Sequence, residues 1–390
     1  MSAFPPLWAE IADIGRDPGG GYLRYALTEP ERALRDWFRC QAGQRDMPVT
    51  DDGNGNLFAW WGAPWGDDAV LTGSHFDSVP HGGGYDGPLG IVSAFLAVDR
   101  LRANGLRPLR PLAIAAFVEE EGSRFGLACL GSRLFTGAIH PDRAGALVDR
   151  DGISFADALG ARPAGALPDL AVRFSAAVEL HIEQGRALEV PIGVAGAIWP
   201  HGRWRFDFGG DADHAGTTRM DDRHDPMLTY AYTVLTANEE ARQAGAHATM
   251  ARVAVEPNAT NAIPSLVRAW LDARAADTAA LDRLVEVVIK RAVDRAGRDG
   301  THVDVEPESV SPEVAFDAGL ATRIAGLLGG VPILPTGAGH DAGVLSAHVP
   351  TAMLFVRNPT GVSHSPAEYA TDADCAAGVA ALATVLGDLL

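Results

Sequence analysis

The sequence predicts an α/β protein: a layered α/β domain with a mixed central sheet, interrupted by a smaller α+β domain of ferredoxin-like order. Three observations carry this. Short apolar runs at residues 69–73, 112–118, 177–182 and 351–356 read as buried strands. Helical patterns lie between them, and strands alternating with helices imply a layered α/β domain. The middle of the chain differs. Residues 202–208, 249–255, 266–273 and 301–305 alternate polar with apolar, the pattern of a sheet exposed on one face.

Each element has its own signal. Ile91, Phe95, Val98 and Leu101 share one helix face, and Gly87-Pro88 opens that helix. Residues 316–328 and 372–388 also read as helices. In the middle region, helical stretches at about 225–243 and 277–296 complete a β-α-β-β-α-β order. The expected domains are residues 1–197 with 310–390, and residues 198–309.

Composition excludes several function classes. Of 390 residues, 32 are Lys or Arg and 50 are Asp or Glu, a net charge of −18. That field repels phosphate backbones and anionic lipid heads, so neither nucleic acid nor membrane is an expected partner. No apolar run approaches the length of a bilayer span. The N-terminus lacks a basic region followed by an apolar core, so no signal peptide is expected and a cytoplasmic location is. Cys40, Cys129 and Cys375 are widely spaced and odd in number, which suits structural thiols in a reducing compartment.

The informative segments are 73–78, 85–87, 119–125, 179–185 and 361–366. Each places His, Asp or Glu at the end of an expected core strand or in a nearby loop. Ligands of open α/β sheets gather at the carboxyl ends of strands. His75, Asp86, Glu121, His181 and His364 are therefore expected to converge. Imidazole and carboxylate suit zinc or manganese, with nickel or cobalt also acceptable. Asp86 has two oxygens and can bridge two ions, His75 and His181 serving one, Glu121 and His364 the other. Such a pair of ions can polarise a carbonyl and generate hydroxide. Asp77 is placed to orient the His75 ring. A lone loop histidine is ordinarily a surface residue, and His140, His224, His247, His302 and His348 are read that way. Residues 81–84 (HGGG) are read as a turn.

Eight motifs fall in order along the chain: GSHFDSV, YDGPLG, EEEGSRF, ELHIEQG, DHAGTTRM, NATNAIP, GAGHDA and GVSHSPAE, spanning residues 73–368. With them the chain resembles the dinuclear metallo-aminoacylase and carboxypeptidase superfamily. Within it, the chain looks like the branch of N-carbamoyl-L-amino acid hydrolases, β-ureidopropionases and allantoate amidohydrolases. The resemblance implies two divalent ions on the five ligands above and Glu120 as general base. It implies Gln184, His214, Asn261, Arg274, Gly339 and His340 as substrate contacts, with His214 also facing the oxyanion. It makes the larger domain catalytic and residues 198–309 a lid that also pairs in a homodimer. The implied reaction cleaves a linear C–N bond in a small carboxylate-bearing ureido substrate. Alternatives are an aminoacylase, dipeptidase or deformylase-type hydrolase, or a catalytically silent metal-binding scaffold. Two positions depart from the commonest pattern: Arg219 replaces a proline, and Thr336 a serine. Taken without the resemblance, Arg274 reads as a surface strand residue and Asn261 as a turn residue.

Overall fold

The computed structural model describes residues 3–390. The chain forms two compact units, one comprising the chain up to Ile198 and again from Ala315, the other Trp199–Val314. The first unit contains β1 (Val49–Asp51), β2 (Leu57–Trp61), β3 (Ala69–His75), β4 (Leu112–Phe117), β5 (Phe174–Ile182) and β6 (Ile192–Ile198). The second contains β7 (His201–Gly209), β8 (Asp213–His214), β9 (His247–Glu256), β10 (Ala262–Ile263), β11 (Leu266–Arg274) and β12 (His302–Ser311). The chain then passes through β13 (Val314–Ala315), β14 (Ile333–Thr336) and β15 (Thr351–Val356).

The large sheet runs β1-β2-β4-β3-β5-β15-β6-β13, with β14 also paired to β6. Strands β4, β3, β5 and β15 are mutually parallel. Pairs β1–β2, β2–β4 and β15–β6 are antiparallel, so the sheet is mixed. Parallel strands need cover on both faces, and β3, β4 and β15 are buried along their whole length. Successive side chains enter opposite cores. Val70, Ile114, Val178 and Leu354 pack with Phe95, Leu382 and Leu386. Leu71, Ala113 and Ala177 pack with Phe58, Trp60, Phe135 and Phe174. Fully burying a Val, Leu or Phe is worth about 1.5–3 kcal/mol. A one-residue slip would move every side chain to the wrong core, so burial on both faces fixes the register.

This register places the chemistry. Because the four central strands are parallel, their carboxyl ends share one edge. β3 ends in His75 and β5 in His181-Ile182, while the chain leaving β4 continues into residues 118–121. His75 lies opposite Phe117, and His181 opposite Phe355 of β15. The helix Pro88–Ala103 starts directly over these ends. Gly87 has φ +86°, and a Cβ there would lie 2.5 Å from the His75 ring. At Gly90 a Cβ would meet the Leu180 carbonyl at 2.3 Å. Only glycine permits both approaches.

In the second unit, β12-β7-β11-β9 form an antiparallel sheet. The helices Pro226–Ala244 and Thr278–Asp299 cover one face, where Phe206, Phe208 and Leu271 meet Ala237, Leu284 and Val288. Asp225 and Asp277 cap these helices by accepting from Met227 N and Ala280 N. The uncovered face carries Arg205, Asp207, Arg268, Asp272 and Arg274 in ion pairs. All three cysteines are free thiols. Among the described residues, no helix is long and apolar enough to cross a membrane.

Candidate metal centre

His75 and His181 are fully buried. His75 Nδ1 is 3.0 Å from the Asp77 carbonyl, and His181 Nδ1 is 2.9 Å from the Ile182 carbonyl. A carbonyl only accepts, so both rings carry a proton on Nδ1, which leaves Nε2 as the atom each can offer to a ligand. Neither Nε2 makes a hydrogen bond. They lie 3.6 and 3.1 Å from Asp86 Oδ1. Two buried, unpaired imidazole nitrogens aimed at one carboxylate oxygen match the donor chemistry of a divalent ion.

The other oxygen of Asp86 faces a second set. Asp86 Oδ2 is 3.4 Å from His364 Nε2, which is 3.4 Å from Glu121 Oε2. Gln184 donates to Asp86 Oδ2 at 2.8 Å, and its Nε2 lies 3.2 Å from His364 Nε2. The expected ligands thus form two triads sharing one carboxylate, His75–Asp86–His181 and Asp86–Glu121–His364, each with donor atoms within 4.8 Å of one another.

Glu120 stands beside the first triad. Its Oε2 is 3.7 Å from His75 Nε2, and the Cys129 thiol donates to its Oε1 at 3.4 Å. Asp77 holds this segment, its two oxygens accepting from Glu120 N at 3.1 Å and Glu121 N at 3.0 Å. The His75 ring makes its shorter contact to the Asp77 main-chain carbonyl, with the carboxylate 3.6 Å away. Asp77 therefore acts on both sides of the site.

The electrostatics show a shortage of positive charge. Burial raises the Glu120 carboxyl well above its usual range despite the nearby His75. Burial, then Asp86, pushes Glu121 to about 7. Asp86 is held far below the carboxylate range: burial opposes its charge, but the surrounding imidazoles of His181, His364 and His75 outweigh that. Burial also opposes a charge on His75, yet Glu120, Asp77 and Asp86 raise its pKa. Buried carboxylates that compete for the protons of a few imidazoles are suited to cations as counter-charges.

A third set, Glu179, His181 and His340, also brings donor atoms together. It is the poorer candidate. Glu179 already accepts from Ser74 Oγ at 3.1 Å and Ala342 N at 2.9 Å. His181 has only one nitrogen to offer, which already faces Asp86. His340 is buried with Nε2 unpaired, its ring 4.5 Å from that of His181. Burial and the neighbouring His181 lower its pKa, so the ring is neutral.

The remaining expected residues divide by unit. Gly339 lies in the loop before His340, and a Cβ there would meet nothing within 4 Å. His214 and Asn261 come together in the second unit: His214 pairs with Ala262 across β8 and β10, and Ala215 N donates to the Asn261 carbonyl at 3.0 Å. Arg274 ends β11, 3.1 Å from Asp272. Sequence reasoning missed Glu179, Cys129 and Glu368. Glu179 was recoverable, since it lies two residues before His181 on a strand and so on the same face. Glu368 was visible only as the last letter of a motif. Cys129 gave no signal, because its approach to Glu120 depends on the turn after residue 121.

The chain is similar to known proteins over nearly its whole length. The chain is 36% identical over 398 residues to the N-carbamoyl-L-amino acid amidohydrolase of Geobacillus stearothermophilus, covering 96% of this chain and 94% of that protein. It is 32% identical to the allantoate amidohydrolase of Escherichia coli strain K12, covering 97% and 95%. A crystal structure of an amidase of the hydantoinase/carbamoylase family from Burkholderia multivorans superposes with a TM-score of 0.87 at 31% identity, covering 100% of this chain and 98% of that one. The model for Peptidase family M20/M25/M40 matches residues 71–388, and the chain belongs to that family.

Proposed function

We propose that this protein is a metal-dependent amidohydrolase that cleaves the linear C–N bond of an N-carbamoyl amino acid or of allantoate, releasing carbon dioxide and ammonia. The observation that carries the reading is Asp86: one carboxylate turns an oxygen to each of two donor triads, with Glu120 adjacent to them. The names of the relatives supply the substrate class.

The triads would hold two divalent ions, zinc or manganese in the first instance, with nickel or cobalt as substitutes. Bound there, such ions supply Lewis acidity, polarising the scissile carbonyl and acidifying a water. Glu120 is the general base: it takes the proton of that water and returns it to the leaving nitrogen. Gln184, Gly339 and His340 contribute to the substrate pocket of the first unit.

In the same reading, residues 198–309 act as a lid and dimerisation domain. His214 and Asn261 contact the substrate, His214 stabilises the oxyanion, and Arg274 forks onto the substrate carboxylate. The cell compartment is the cytoplasm. Arg274→Ala should lower kcat/KM for carboxylate substrates by roughly 10- to 100-fold, the worth of a charged hydrogen bond. The loss should be much smaller for the corresponding amides. Equal loss on both would remove the carboxylate assignment.

The deciding experiment is turnover of a panel of ureido, formyl and acyl amino acids and allantoate, read as ammonia for the ureido substrates and allantoate and as free amino acid for the formyl and acyl ones, after reconstitution with each of the four metals. Turnover of ureido substrates is expected. Turnover of acyl or formyl amino acids alone would make the protein an aminoacylase or deformylase.

A further inference from the structure

Three of the five proposed ligands, Asp86, Glu121 and His364, have no strand to hold them, and Glu121 is fixed through its main chain by Asp77. Asp86 lies in the turn before the helix Pro88–Ala103, and His364 in the loop between β15 and the helix Asp372–Leu389. His364 has φ 54°, a left-handed conformation unusual for a residue with a side chain, and its side chain is 49% exposed. Yet its Nε2 stands 3.4 Å from Asp86 Oδ2. Something must fix these two distant loops against each other.

Glu368 touches both. It is buried, and its Oε1 accepts from Tyr85 N at 2.9 Å and from Asp86 N at 3.0 Å. Its Oε2 is 3.4 Å from the hydroxyl of Ser363, the residue before His364. That hydroxyl is also 3.4 Å from Asp86 Oδ2. The loop backbone accommodates the side chain closely: a Cβ on Gly83 would overlap Glu368 Oε1 at 2.2 Å. Behind the clasp, the ring of Tyr85 packs edge-on against that of Tyr369 at 6.3 Å and stacks on Trp8 at 4.8 Å.

We propose that Glu368 is the positioning residue of the Asp86–Glu121–His364 triad: its carboxylate clasps the Asp86 turn to the His364 loop and thereby sets the affinity for the second ion far more than for the first, whose other two ligands it does not touch. The proposal rests on the two-ion reading above. His75 and His181 do not depend on the clasp, since each is held by a strand end and a main-chain carbonyl. An outer group that orients ligands in this way typically governs metal affinity by about 10- to 100-fold.

The test is equilibrium dialysis of metal-stripped protein against Mn²⁺, with the melting temperature followed in parallel. Wild type should bind two ions. Glu368→Ala should keep the first binding step within a few-fold and weaken the second by about 10- to 100-fold. Glu368→Gln retains an oxygen that can accept from Tyr85 N and Asp86 N, and should recover most of the second affinity. Equal weakening of both steps, or no weakening, would overturn the proposal. So would a Gln variant as weak as Ala, because the charge and not the clasp would then be responsible. Should the Ala variant fail to fold, Glu368→Asp, one methylene shorter, carries the same expectation. Wild-type protein that binds a single ion would overturn the two-ion reading itself, a result distinguishable from failure of the clasp.

Discussion

The two triads that meet at Asp86 are built in different ways. His75 and His181 sit at the ends of parallel strands, fully buried, with ring orientation fixed by carbonyls one or two residues away. Their position is a by-product of sheet register, which core packing on both faces already enforces. Glu121 and His364 lie outside regular structure, and His364 is half-exposed. Their geometry depends on hydrogen bonds between segments: Val79 N to Glu121 at 3.3 Å, and the contacts of Glu368. The difference teaches that a pair of candidate metal triads can join a rigid half, inherited from the fold, to an adjustable half assembled from loops.

The largest effect that would break this comparison comes from the rigid half. His75→Ala should reduce hydrolysis to background and lower the Mn²⁺ stoichiometry of the purified protein. His364→Ala should leave one tightly held ion. Equal metal loss in the two variants, measured by elemental analysis, would erase the distinction.

Glu120→Gln asks whether the residue between the halves acts on protons or holds metal. Turnover should fall by about 10²- to 10⁴-fold, the usual worth of a general base, with metal content unchanged. Glu121→Gln should instead lower metal occupancy. The opposite pattern would exchange the two roles.

The smallest effect sharpens the comparison. Asp77 accepts from Glu120 N and Glu121 N while its carbonyl holds the His75 ring, so it touches both halves. Asp77→Asn keeps the carbonyl but replaces one carboxylate oxygen with a donor that faces an N–H. It should cost about 10- to 100-fold in activity, with affinity for the second ion affected more than for the first. A variant indistinguishable from wild type in a Mn²⁺ titration would deny Asp77 that role.

What the sequence made legible follows the same division. The buried parallel strands were readable because an apolar run is their direct signature, although β5 begins at Phe174, earlier than the predicted 177. The helix after Gly87 was readable because Ile91, Phe95, Val98 and Leu101 all had to be buried, and they are. Strands β1, β2 and β6 were not foreseen. β1 spans three residues, and β6 (IGVAGAI) mixes glycine and alanine too evenly to show a period. In the second unit β12 was expected over 301–305 but continues to Ser311, past Pro307 at a register shift. A proline inside a strand pattern ordinarily argues against a strand, but this one lies on an edge. The candidate ligands could be named because their residue types are chemically distinctive. The contacts around them could not, since Cys129 reaches Glu120 and Glu368 reaches the Asp86 turn only through distances that folding creates.

The most direct test of the proposed dinuclear centre is anomalous diffraction from crystals of the protein grown with Mn²⁺. Two peaks are expected roughly 3.5–4 Å apart, the usual separation in two-metal sites. One should lie among His75, Asp86 and His181, the other among Asp86, Glu121 and His364, with Asp86 common to both and Glu120 a ligand of neither. A single peak, or a peak among Glu179, His181 and His340, would contradict the account.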